Sequence, residues 1–162
     1  MVRKTLLLFG LGAMSLLSVR AQEKAELFGG FSYTRFLGSN LNGWEVAGQY
    51  KFADWVGGVA DFDGHYGSIH GIGTSTYTYR FGPQISLPSK VSPFGHLLLG
   101  GAHNSTGGFG SSSFSMALGG GIDAELTNGI HWRLVQMDYS LTQFGGGSQN
   151  GFRFSTGILL KF

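Results

Sequence analysis

From residue 27 to the end of the chain, large apolar side chains recur at every second position, the period of strands with two unlike faces. Trp44, Val46, Gly48, Tyr50 and Phe52 alternate with Glu45, Ala47, Gln49 and Lys51. Val56, Ala60, Phe62 and Tyr66 alternate with Gly57, Val59, Asp61 and Asp63, and Tyr77, Tyr79, Phe81, Ile85 and Leu87 with Thr76, Thr78, Arg80, Gln84 and Ser86. Phe114, Met116, Leu118, Ile122, Ala124 and Leu126 oppose Ser115, Ala117, Gly119, Gly121, Asp123 and Glu125. The final segment sets Phe152, Phe154, Ile158, Leu160 and Phe162 against Arg153, Ser155, Gly157, Leu159 and Lys161. The first, residues 27–36, sets Leu27, Phe31 and Tyr33 against Glu26, Gly30, Ser32 and Thr34.

Two segments are less regular. In residues 130–144, Val135, Met137, Tyr139 and Leu141 oppose Gln136, Asp138 and Ser140, a phase that puts Arg133 on the apolar side. That placement suits a cation near the strand's start, where a long side chain can snorkel to a polar layer. Residues 93–102 carry Leu97, Leu98 and Leu99 in a row and give no phase. The pattern thus predicts eight strands: 27–36, 44–52, 56–66, 75–87, 93–102, 114–126, 130–144 and 151–162.

The connections alternate in length. Residues 53–55, 88–92 and 127–129 are short, the last carrying the Asn128-Gly129 hairpin signal, whereas 37–42, 67–74, 103–112 and 145–150 are longer and built from Gly, Ser, Asn and Thr. An up-and-down meander places alternate connections at opposite ends. A last strand that ends the chain must be paired on both edges, and closure onto the first strand provides that.

Ser155, Gly157, Leu160 and Phe162 form a polar-x-Gly-x-x-apolar-x-Phe ending. It resembles the insertion signal of bacterial outer-membrane β-barrels, and the chain resembles the OmpA/OmpX-like eight-stranded family. The resemblance implies an all-β, eight-stranded antiparallel up-and-down transmembrane barrel in the bacterial outer membrane. Short turns would then be periplasmic and longer loops external. It further implies contact with outer-membrane lipids and lipopolysaccharide, recognition of the C-terminal strand by the barrel assembly machinery, a monomer, and no cofactor. A soluble calycin-like binding barrel would invert the faces. The bulk of Trp44, Tyr50, Phe62, Tyr66, Tyr77, Tyr79 and Phe81 argues against packing them inside eight strands, whose interior side chains alone fill.

Composition supports this reading. Charged residues are 12%, aromatic residues 14%, and glycine numbers 29, too little charge for a typical soluble domain and too much glycine for helices. Residues 1–21 read as a cleavable signal: Arg3 and Lys4 precede an apolar run ending at Val19-Arg20-Ala21. That leaves residues 22–162 as the barrel domain. Without Arg3, Lys4 and Arg20, eight basic residues face nine acidic ones, so no basic surface supports nucleic-acid binding. With no cysteine there is neither a disulfide framework nor a thiolate metal site.

The inward face carries the candidate chemistry. Glu26, Glu45, Asp61, Asp63, Asp123, Glu125 and Asp138 outnumber Lys51, Arg80, Arg153 and Lys161, so any leak should favour cations. If the loop at residues 67–74 is symmetric, strands three and four pair Tyr66 with Ser75, Phe62 with Tyr79 and Asp61 with Arg80. A salt bridge between Asp61 and Arg80 is then expected within a network that includes Glu45, Asp63, Asp138 and Arg153 and plugs the lumen. The small barrels that this chain resembles are structural, adhesive or resistance proteins, occasionally lipid-modifying enzymes. The enzymatic alternative, a lipid A deacylase, would need a Ser/His/acid set at the outer rim. Asp63, His65 and Ser68, or His103-Asn104-Ser105, supply the residue types without a specific spacing, and rim metal binding by His65, His70 and His103 is a further option. Gly119-Gly120-Gly121 lies inside a strand, where it allows close packing and forms no phosphate loop.

Overall fold

The structure, a computed structural model, describes residues 24–36, 38–144 and 147–162, so the predicted leader lies outside the described residues. Eight antiparallel strands form a closed barrel: β1 (Ala25–Phe36), β2 (Ser39–Ala53), β3 (Val56–Ile69), β4 (Ile72–Ser86), β5 (Val91–Thr106), β6 (Phe109–Thr127), β7 (Ile130–Phe144) and β8 (Gly147–Lys161). Each strand pairs with the next, and β8 closes on β1 from Glu26 opposite Lys161 to Phe36 opposite Gly151. The backbone of Phe162 extends that seam, its N–H donating to the Ala25 carbonyl at 2.8 Å. At the seam's centre Gly30 faces Gly157. A Cβ on either would strike the other's backbone, so this pair lets the first and last strands meet closely.

The faces follow the alternation. Trp44, Tyr50, Phe62, Tyr79, Phe81, Leu118 and Phe152 are exposed on the outside, while Glu45, Asp61, Arg80, Asp138 and Arg153 are buried inside. The inverted, soluble arrangement is therefore excluded. In β5, which the sequence does not phase, Phe94, His96, Leu98 and Ala102 point inward and Leu97 and Leu99 outward.

Strands reach further than the alternation predicts, and this corrects the reading of the longer connections. β3 and β4 stay paired to Ile69 opposite Ile72, around a two-residue turn of His70 (φ 52°) and Gly71 (φ 80°). β5 and β6 stay paired to Thr106 opposite Phe109, around Gly107 (φ 59°) and Gly108 (φ 87°). Two successive positive φ values match the twist of the flanking strands, the reason such turns close tight hairpins.

The second correction is Arg133, which points inward and is 3% exposed. Between Arg133 and Gln136 the register of β7 shifts against both neighbours. Leu134 and Val135 both face outward across this bulge, so the parity of the strand reverses there. Opposite the bulge, Thr156 donates to the Arg133 carbonyl at 2.9 Å and accepts from the Trp132 indole at 3.1 Å, satisfying backbone that the ladder has left unpaired.

Candidate functional site

The lumen is filled by two layers. In the first, Arg153 on β8 is the hub. Its Nη1 lies 2.6 Å from Asp63 Oδ2 and 3.7 Å from Glu45 Oε2, its Nη2 reaches Asp61 Oδ2 at 2.5 Å, and its Nε donates to Asp138 Oδ2 at 2.9 Å. One guanidinium thus joins carboxylates from β2, β3 and β7, with Arg153 itself 1% exposed. Gln136 bridges two of them, donating to Glu45 at 2.9 Å and Asp138 at 2.8 Å, and Ser155 donates to Glu45. Such charge-assisted bonds are the strong ones, and in a buried site every member must be satisfied.

Arg80 completes the layer, though not through the predicted partner. The register places Asp61 opposite Arg80, Phe62 opposite Tyr79 and Tyr66 opposite Ser75, as the symmetric loop implies. Arg80 Nη1 nonetheless bonds Asp63 at 3.1 Å and its Nε donates to Ser115 at 3.0 Å. Asp61 is drawn instead to Arg153 from across the lumen. Opposed backbone positions fix the level of a pair, but in so narrow a barrel a long side chain reaches partners two strands away as readily as its neighbour.

Two histidines belong to this layer. His65 Nδ1 lies 3.1 Å from Asp63 Oδ1, and its Nε2 lies 2.9 Å from Ser32 Oγ and 3.0 Å from Thr34 Oγ1. His96 Nε2 lies 2.7 Å from Asp138 Oδ1. That second contact spans β6, where Gly119 sits between the two residues in the cross-strand row. A Cβ on Gly119 would collide with the Asp138 carboxylate, which gives the first of the three glycines its role.

The second layer, nearer the end that carries the chain termini, is built on an apolar cluster that holds one buried cation and its carboxylate. Phe28, Ala47, Val59, Leu98, Ala117 and Leu159 form a buried cluster inside the barrel. Arg133 lies between two rings, its guanidinium carbon 4.5 Å from the centre of Phe28 and 4.1 Å from that of Phe94. Its Nε and Nη2 donate to Asp123 at 2.8 and 3.1 Å, and its Nη1 donates to Gln136 at 2.7 Å, tying the layers together. Beyond it, Glu26 pairs with Lys51 at 2.7 Å and Lys161 at 3.4 Å. Glu125, placed inside by the alternation, is exposed beside the β6–β7 turn, where the register shifts again. The spaces left are a cavity of about 40 Å³ above Arg153 and one of about 10 Å³ below it.

On the outer surface each of the four hairpins opposite the termini carries one polar cross-strand pair: Tyr33 with Asn40 at 2.7 Å, Tyr66 with Tyr77 at 2.9 Å, His103 with Ser112 at 2.8 Å and Tyr139 with Asn150 at 2.8 Å. Polar tips near one rim of an otherwise apolar wall belong where hydrocarbon meets head groups.

By sequence, no family model and no curated relative matches the chain. By structure it is similar to Neisserial surface protein A (TM-score 0.67, 14% identity, covering 85% of this chain and 96% of that one). It is also similar to OprG from Pseudomonas aeruginosa (TM-score 0.58, 12% identity, 86% and 96%). A third similar structure is Ail, the attachment invasion locus protein of Yersinia pestis (TM-score 0.55, 17% identity, 86% and 100%), which has also been solved with the heparin analogue sucrose octasulfate. The fold is that of the small outer-membrane β-barrels.

In an outer-membrane barrel the end with the termini is periplasmic and the four polar pairs lie at the external interface. The enzymatic sets do not assemble there as the sequence suggests. His65 and Asp63 lie within the lumen, and Ser68 is exposed on the outside. The hydroxyls that meet His65 are those of Thr34 and of Ser32, the latter fully buried and also bonded to Ser155 at 3.0 Å, so Ser68 is not its partner. His103 pairs with Ser112 rather than Ser105. His65, His70 and His103 are not brought together either. Among the described residues no group of three His, Cys, Asp or Glu side chains is arranged to hold a metal ion.

Sequence reasoning placed His65 only in sets at the outer rim and Gln136 only on the inward face, and it missed Arg133, His96 and the apolar lumen layer as site components. Strand parity carried by Glu26 and Ser32 would have placed Phe28 inside, and Asp63 would have placed His65 there.

Proposed function

We propose that the protein is a sealed integral barrel of the bacterial outer membrane with a structural or surface-interaction role, in envelope integrity, adhesion or resistance, and that it is not a pore for large solutes. One observation carries this reading: the Arg153 hub and its carboxylates stand over an apolar layer, so a solute would have to break both. The aromatic wall and the external polar pairs are the contacts for lipids and lipopolysaccharide. Gly157, Leu160 and Phe162 are the residues offered to the barrel assembly machinery before the seam closes, after which the barrel is a monomer. Ail's heparin analogue is not carried over. Arg35 is the one outward-facing Lys or Arg toward the external end among the described residues, and polyanion binding needs clustered cations.

Planar-bilayer recording tests the seal. Purified barrel should give no stable conductance steps, and steady currents that admit large solutes would refute it. Deleting Phe162 should block assembly far more than Lys161→Ala, measured as the heat-modifiable band on unboiled gels, and equal tolerance would remove the assembly role. The lipid A deacylase alternative has one observation in its favour, the His103–Ser112 pair on the lipid-facing wall. Unchanged lipid A acylation on expression would dispose of it, whereas deacylation lost in His103→Ala would establish it.

A further inference from the structure

Six tyrosines stand on the outward face of the barrel, and four of them meet something other than tyrosine. The ring of Tyr33 lies against Phe154 with centres 6.5 Å apart, that of Tyr50 against Phe52 at 5.9 Å, and that of Tyr139 against Phe152 at 5.3 Å. Tyr79 leans over Gly101 on β5, where a Cβ would stand 2.5 Å from its hydroxyl. Tyr66 and Tyr77 meet each other. Their ring centres are 5.8 Å apart, their planes cross at 83°, and their hydroxyl oxygens are 2.9 Å apart.

The register of β3 and β4 makes this contact. Gly64 stands opposite Tyr77 and Tyr66 opposite Ser75, so on the outward face two small residues occupy one diagonal and the two rings the other. Trp44 on β2 backs the pair, its ring covering Gly64 so closely that a Cβ there would meet it at 2.9 Å. Both phenol rings are 44% exposed on the external side of the wall, which leaves each open to reagents.

We infer that Tyr66 and Tyr77 are an oxidative modification site, at which one two-electron oxidation joins the rings carbon to carbon and staples the β3–β4 hairpin on the outer surface. Each phenol gives up one electron and one proton. The two radicals couple at a carbon next to each hydroxyl-bearing carbon, and the hydrogens on the joined carbons return to the oxygens, which restores both phenols. The oxidant is a peroxide acting through a haem peroxidase, and one hydrogen peroxide takes the two electrons and two protons and leaves as two waters.

The geometry favours this pair on two counts. A phenol sheds its proton as it loses its electron, and the partner's hydroxyl is the acceptor at hand. In the product the two oxygens flank the new bond within hydrogen-bond reach of each other, as they already are here. The joined rings need not be coplanar, and rings so exposed can turn about their side-chain torsions to bring the two carbons together. The other four tyrosines have phenylalanine or glycine as their neighbour, so the expected product is one link within one molecule. Both rings stand on the outer wall, so the link is independent of the seal inside.

The test treats the purified barrel in phospholipid vesicles with hydrogen peroxide and a haem peroxidase. Dityrosine fluorescence should appear in the monomer band. The tryptic peptide of residues 52–80 holds Tyr66, Tyr77 and Tyr79 and no methionine. Its mass should fall by two hydrogens, and it should resist fragmentation between residues 66 and 77. Tyr66→Phe and Tyr77→Phe should each abolish the fluorescence while keeping the heat-modifiable band of the folded barrel, whereas Tyr79→Phe should leave the fluorescence whole. A wild-type barrel that gives only links between molecules, or a link within the molecule that survives in either single variant, would overturn the inference. So would the absence of any link under conditions that couple free tyrosine.

Discussion

Arg153 and Arg133 are both buried in one narrow lumen, yet they are held in unlike ways. Arg153 meets four carboxylates and no ring, whereas Arg133 meets one carboxylate, one amide oxygen and two rings. The first is placed by charge: removing it leaves acids converging on an empty centre. The second is placed by shape, a flat cation filling a slot between Phe28 and Phe94 with its charge answered once. The lumen is closed above by electrostatics and below by packing, and the two closures should fail differently.

Arg153→Ala is the sharpest way to break the first. Four buried carboxylates would keep Arg80, Gln136, Ser155 and the two histidines but lose the cation they share, a loss of about 3–5 kcal/mol on the scale of a buried pair deprived of one partner. Urea unfolding in micelles measures it. A midpoint close to wild type would mean that the hub is not what organises the layer. Arg133→Ala comes next. It empties the slot between Phe28 and Phe94 and strands Asp123, for about 2–4 kcal/mol, whereas deleting Leu134 removes the extra residue of the bulge, leaves Arg133 inward by plain alternation before Val135 and should cost about 1 kcal/mol or less. A deletion as damaging as Arg133→Ala would mean that the bulge does more than accommodate one residue.

The contrast also explains what the sequence can and cannot reveal. Arg153, Asp61 and Glu45 lie on strands whose alternation is unbroken around them, and Asp138 on the regular part of β7 beyond its bulge, so their shared interior follows from period two alone. The level of Asp61 with Arg80 is legible because the β3–β4 turn is symmetric about His70-Gly71. Their pairing is not, since side-chain reach across a lumen leaves no trace in strand period. Arg133 is hidden by a single inserted residue that reverses the parity of β7, and one register slip moves every side chain to the other face. The apolar layer escapes for another reason. Leu98 is masked within three leucines, and an inward Phe28 or Phe94 contradicts the expectation that apolar means outward. The proposed signal peptide and the proposed assembly role of the last strand rest on motifs alone, because such effects would precede the folded barrel.

Arg80→Ala tests the upper layer at its edge. Asp63 would keep Arg153 and His65, so the loss should be about 2 kcal/mol, whereas Arg35→Ala on the exposed outer face should lie within about 0.5 kcal/mol of wild type. Comparable losses in the two variants would mean that the interior charge network adds nothing that a surface arginine does not.

The smallest effect separates the two arginines most finely. Lysine in place of Arg133 keeps a cation between two rings and one contact with Asp123. It loses the second bond to that carboxylate, the bond to Gln136 and the planar fit against Phe28 and Phe94. A cation–π contact tolerates an ammonium, so the cost should be about 1 kcal/mol. Lysine in place of Arg153 keeps the same formal charge, but a single ammonium with three donors cannot serve carboxylates arriving from β2, β3 and β7. That loss should be at least about twice as large, read from the same urea midpoints. If Arg133→Lys proves the more damaging of the two, the lower layer is held by directional bonding after all, and the division of the lumen into a charged closure and a packed one fails.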